Sequence, residues 1–91
     1  MTAEPDRIAT APDRSRVRLE GTLTRVTLRP RGQVLALEAV LDDGTGTLDL
    51  IWLGRRTIAG IGAGSAMAVE GRIGWHGERR AIYNPRYELR A

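Results

Sequence analysis

Leu41-Asp-Asp-Gly-Thr-Gly-Thr-Leu-Asp-Leu-Ile-Trp-Leu-Gly-Arg-Arg56 decides the fold of this chain, because two apolar-alternating runs meet there across a turn that carries two glycines. Gly44 and Gly46 can take positive φ at little steric cost, which a short hairpin loop requires and β-branched residues resist. The stretch is therefore a hairpin, followed at Gly54 by a departure from the sheet. Because side chains alternate with period two, the turn also fixes which residues of the flanking strands share a face.

Upstream, Gln33 to Leu41 points Leu35, Leu37, Ala39 and Leu41 inward, and Arg29-Pro30-Arg31-Gly32 separates this run from an earlier one. Pro30 cannot donate to a ladder and Gly32 tolerates a turn. The earlier run starts at Val17 and continues through Leu19, Leu23, Val26 and Leu28, but its phase slips by one residue between Leu23 and Val26, beside Gly21. A slip of that kind calls for a bulge or sharp bend, and a strand so bent can serve both sides of a small barrel. Downstream, Thr47 to Leu53 is the third strand. Gly54 to Gly64 is a connection in which Ile58 and Ile61 fit a single helical turn, while Gly60, Gly62 and Gly64 forbid a longer helix. Ser65 to Ile73 alternates as a fourth strand, Gly74-Trp75-His76-Gly77 is its turn, and Arg79 to Arg90 completes the sheet. Pro85 marks an edge position or a break into two short pieces. The order predicts an all-β domain over residues 17–91, a five-stranded Greek-key OB-fold barrel with a short helical turn between strands 3 and 4. Residues 1–16, which lack any period, are expected to be a disordered leader that Ile8 alone cannot hold onto a core.

Ninety-one residues allow one domain and a modest core. With no cysteine and one histidine, neither disulfides nor a conventional zinc site is encoded, and no metal or cofactor is expected. No apolar run approaches the roughly 20 residues of a membrane span, and the beginning lacks the order of a signal peptide, so a cytoplasmic location is expected. Asp42 and Asp43 are adjacent and explained by the turn, and Ser65 has no histidine partner at a readable spacing, so no enzymatic activity is expected. Residues 1–16 hold three Arg and three acids, and residues 17–91 hold eleven Arg and eight acids, which places the whole +3 charge on the folded part. All 14 basic residues are Arg. A GC-rich coding sequence explains that bias, yet guanidinium groups suit bidentate phosphate contacts whatever their origin.

Gly21-Thr-Leu-Thr-Arg-Val, Asp43-Gly-Thr-Gly-Thr-Leu, Ile51-Trp-Leu-Gly and Asn84-Pro-Arg-Tyr-Glu-Leu together resemble the OB-fold wedge domain of the RecG-type branched-DNA helicase, over roughly residues 17 to 90. The chain is also similar to stand-alone actinobacterial OB-fold nucleic-acid-binding proteins and, more distantly, to anticodon-binding OB domains. The resemblance implies single-stranded or junction nucleic acid as ligand. Where the helicase wedge has bulky aromatics after its third strand, this chain has Leu53 and no Phe.

OB ligands lie across strands 2 and 3, gripped by the loops joining strands 1 to 2 and 4 to 5. Here the first loop offers Arg29 and Arg31, and the second offers Trp75, Arg79 and Arg80. Trp52, Tyr83 and the pair Arg55-Arg56 complete the candidate nucleic-acid-binding set. Trp75 is the better stacking candidate. Trp52 has a strand position compatible with core burial as well as with ligand contact, one of Tyr83 and Tyr87 is expected to close the barrel, and the Arg pairs are equally explained as solvated charges. The expected function is low-specificity binding of single-stranded nucleic acid, DNA before RNA. The alternative is a protein-interaction barrel that docks on a larger enzyme as an accessory subunit or pairs with a second copy through an edge.

Overall fold

The computed structural model describes residues 4–90, which form β1 (Arg16–Arg31), β2 (Val34–Asp42), β3 (Thr47–Leu53), β4 (Ala66–Arg72), β5 (Gly74–His76), β6 (Arg79–Tyr83) and β7 (Arg86–Leu89). One sheet holds all seven, in the order β5-β6-β3-β2-β1-β4-β7. Its pairs are antiparallel except β3 with β6, which run parallel. Among the described residues no helix is long and apolar enough to cross a membrane.

The 16 residues of β1 would reach about 50 Å if straight, yet the longest dimension of the molecule is 41 Å. The strand must bend, and it does so where it changes partner. Arg16 to Thr22 pairs with β4, Thr22 to Arg31 pairs with β2, and the register slips between Leu23 and Arg25. Thr24 is the extra residue of a β-bulge. Gly21 sits at the pivot, where a Cβ would collide with the carbonyl of Asp42. On the other margin β4 ends at Arg72 and β5 begins at Gly74, so the strand beside β1 and the strand beside β6 are joined through the buried Ile73 alone. The sheet therefore curls round a core of Leu19, Leu23, Leu41, Leu48, Leu50, Met67, Val69, Ile73 and Ile82, while no ladder joins β5 or β6 to β4 or β7.

Several expectations are corrected by these elements. Among the described residues there are seven strands rather than five. The final run divides at Asn84-Pro85 into β6 and β7, the break that Pro85 allows. Trp75 and His76 belong to β5 instead of a turn, because the hairpin reverses one step later at Gly77, whose φ is +61°. No helical turn stands between β3 and β4 among the described residues. Positive φ at Gly60 and Gly64 breaks any helical run, and a single turn closed by the Ile61 amide on the Ile58 carbonyl (3.0 Å) still seats Ile58 in the core with Ile61 against it.

Residues 4–15, the described part of the expected leader, lie along the sheet with Ile8 only 2% exposed. Ile8 does not hold them alone. The Asp43 carboxylate accepts from its backbone N–H at 2.8 Å, the Asp6 and Arg18 backbones are joined at 2.8 Å, and Arg14 and Ser15 bond Ile73 as a short ladder. From the far end of the chain the Arg80 guanidinium donates to the carbonyls of Ile8 and Ala11.

Asp43 thus ties the leader to the turn, and its partners set its charge. Burial opposes ionisation, but the Thr45 hydroxyl and the backbone N–H groups of Ile8, Thr45 and Gly46 outweigh it and hold the carboxyl below its ordinary value. A depressed native pKa contributes stability that is complete above the unfolded carboxyl value near 4 and is lost as pH falls through the native one. Asp43→Asn is therefore expected to cost about 1 kcal/mol at neutral pH, solvent screening bringing it below the usual range for charged hydrogen bonds. Thermal unfolding from pH 7 to pH 2 should show the two proteins converging in acid. A gap that stays constant across that range would contradict the assignment.

Candidate nucleic-acid interface

Alternation along β1 places Arg25, Thr27, Arg29 and Arg31 on its outer side, opposite Val40, Glu38, Ala36 and Val34 of β2. The same face continues through Asp49 and Ile51 of β3 to Arg79 and Ala81 of β6, and His76 joins it as the cross-strand partner of Arg79. Over this face runs an open groove of about 1040 Å³, lined on one side by Arg25, Arg29 and Arg31 and on the other by Asp49, His76 and Arg79. Ala36, Ile51 and Ala81 form a small buried strip on the outer side of the sheet.

An alternating line of charges and polar groups spans the groove. Glu38 accepts from Arg31 Nε at 3.0 Å and has Arg29 Nε at 3.6 Å. The Arg31 guanidinium also meets His76 Nε2. Guanidinium groups only donate, so Nε2 is the acceptor side of this contact, and the other ring nitrogen is Nδ1. That nitrogen is buried without a hydrogen bond, and faces Asp49 Oδ2 at 3.6 Å. Asp49, only 7% exposed, is held by Arg79 through Nε at 2.9 and 3.0 Å and Nη2 at 2.8 Å. This bonding raises the Arg79 pKa further above its ordinary value, so its charge is permanent. Arg31 and Arg79 therefore converge on one groove, but carboxylates already compensate both. Arg25 makes no ion pair among the described residues, and Arg29 is the more exposed partner of the long Glu38 contact.

No protein-family model and no curated protein matches this chain.

The other expected site residues are dispersed. Trp52 lies in the core, 3% exposed, with Nε1 donating to the Pro85 carbonyl at 3.2 Å and its ring meeting Tyr87 edge-on at 5.8 Å. Tyr87 touches the buried indole while staying 37% exposed itself. Trp75 is 52% exposed, but it pairs with Arg80 across the β5–β6 ladder and so faces away from His76 and Arg79. Arg80 is occupied by the leader. Arg55 and Arg56 stand exposed after β3, outside the groove lining. Tyr83 does reach the outer face, with the Arg31 guanidinium 5.9 Å from its ring centroid. Sequence reasoning missed Arg25, although its two-residue spacing from Thr27, Arg29 and Arg31 beyond the phase slip carried the signal. It also missed Glu38, Asp49 and His76, whose roles depend on partners distant in sequence. No group of three or more His, Asp or Glu residues among the described residues is placed to hold a metal ion.

Proposed function

We propose that this chain folds as an OB-type barrel and binds single-stranded nucleic acid, DNA before RNA, with little base specificity. Three features support the barrel: the bent β1 shared between two partners, the parallel β3–β6 pair, and the β4–β5 run that interrupts its ladder only at Ile73. The observation that carries the function is the groove across β2 and β3, flanked by the β1–β2 and β5–β6 hairpins, in which four arginines outnumber two carboxylates. Phosphates would meet Arg25 and Arg29, and a base would stack beside Arg31 on Tyr83.

The test is fluorescence anisotropy of labelled oligo-dT of about 15 nucleotides at low and physiological salt, with duplex and RNA competitors. Saturable binding that prefers single strands is expected, and neutralising about four phosphates gives a log K against log salt slope of about −3. Absence of binding at low salt would overturn the proposal. Tyr83→Ala should weaken binding by about 1 kcal/mol, the low end for base stacking because Arg31 already covers part of the ring, with the salt slope nearly unchanged. An unchanged affinity would remove Tyr83 from the site.

One observation favours a second reading. All four residues of β7 are exposed and this strand borders the sheet, pairing with β4 alone among the described residues, so its outer edge could accept a strand from a protein partner or a second copy. Under that reading the chain is an accessory subunit, and a pull-down replaces the titration.

A further inference from the structure

The outer face of β1 and β4 carries a second groove, of about 580 Å³, where Arg14, Arg16, Arg72 and Arg86 converge with one acid, Glu70. It too is rich in arginine, but its arginines are not tied to carboxylates as Arg31 and Arg79 of the first groove are. Among the described residues none of these four arginines makes an ion pair or a side-chain hydrogen bond. Arg18, two residues along the same face from Arg16, is by contrast bound to Glu20 at 2.5 Å, as is Arg90 at 3.2 Å. Arg16 and Arg72 are moreover direct cross-strand partners on the β1–β4 ladder. Like charges placed directly opposite in a sheet are destabilising, and among the described residues neither member of this pair has an ion-pair partner. Arg14 adds to the oddity, since it holds a left-handed backbone at φ +65°, a conformation unusual for a residue with a long side chain.

The two grooves are linked. Tyr83 lines the second groove while its ring lies 5.9 Å from the guanidinium of Arg31, which lines the first. A chain of phosphates leaving the first groove over Tyr83 would therefore arrive among four guanidinium groups that outnumber a single carboxylate, Glu70, the cross-strand partner of Arg86. We infer that Arg14, Arg16, Arg72 and Arg86 form a second phosphate-backbone site that continues the path of a single nucleic-acid strand round the sheet, an inference that rests on the binding proposed for the first groove. It sets the site size: a short strand fills the first groove, and a longer one engages both.

Oligo-dT of about 6 and about 16 nucleotides distinguishes the two sites. The wild-type chain should bind the longer strand at least about tenfold more tightly, with a steeper salt dependence. Arg72→Ser with Arg86→Ser should abolish most of that advantage and lower the long-strand slope by about 1.4, the equivalent of two phosphates, while leaving the short strand within about twofold. Arg14→Ser with Arg16→Ser should do the same from the other side of the groove. Loss of Arg72 should also leave Tm unchanged or raised, since it relieves the Arg16 repulsion, so weakened binding would not be a folding defect. Equal losses for both lengths, or none for either, would overturn the second site while leaving the first intact. Failure of the wild type to bind either length would remove both sites together.

Discussion

Trp52→Ala should lower the unfolding free energy by about 3–5 kcal/mol, the range for emptying a buried aromatic site. The ring is 3% exposed, belongs to the main core cluster, meets Tyr87 edge-on and satisfies the Pro85 carbonyl through Nε1. Truncation loses all three contributions and leaves an acceptor without its donor. For a domain of this size each kcal/mol moves Tm by about 4–8 °C, so a fall of more than about 15 °C is expected in a thermal melt. Trp52→Phe keeps an aromatic against Tyr87 and should recover a large part of the loss. A Trp52→Ala protein that melts within a few degrees of the wild type would show that the indole is not a core residue.

Arg25→Glu with Arg29→Glu should have the largest effect on binding. These are the groove cations least compensated by carboxylates, so they are the ones free to displace counterions from a phosphate chain. Reversing both removes about two phosphate contacts, flattens the salt slope by at least about 1.4, and sets new acids beside Glu38 and Asp49. A loss of about a hundredfold or more at low salt is expected by anisotropy, shrinking as salt rises. Arg79→Ala is a useful contrast. Arg79 is engaged with Asp49 at 2.8 Å, and removing it exposes a poorly solvated carboxylate in the groove, so stability should suffer along with affinity. If the Arg25/Arg29 variant binds as well as the wild type, the groove is not the interface.

How far the sequence disclosed these features depends on the range of the interactions involved. The hairpin at Asp43–Gly46, the phase slip that became the Thr24 bulge and the alternation of β2 to β4 are consequences of neighbours in the chain, and all were legible. β5 was not. Glycines on both sides of Trp75-His76 look like a turn until pairing with Arg79 and Arg80 draws those residues into a strand. That one change also turns Trp75 away from the groove it was expected to flank. Residues 4–15 offer a single apolar anchor, and their other ties come from Asp43 and Arg80, far along the chain. In the groove, Arg25 shares the alternation of Arg29 and Arg31, whereas the carboxylates that quench Arg31 and Arg79 sit on other strands and announce themselves by no local pattern.

The clamp of Arg80 on Ile8 and Ala11 spans 72 and 69 residues, and the parallel ladder begins with Asp49 facing Ala81. Both closures wait for β6 to be synthesised. A nascent chain leaving the ribosome would hold the β1–β2–β3 meander for some time with the outer edge of β3 unpaired, an open template for another strand. Such distant pairings also make folding slow. The yield of this protein should therefore be most sensitive to conditions during translation, when its earliest residues have been made and the arginine that fixes them has not.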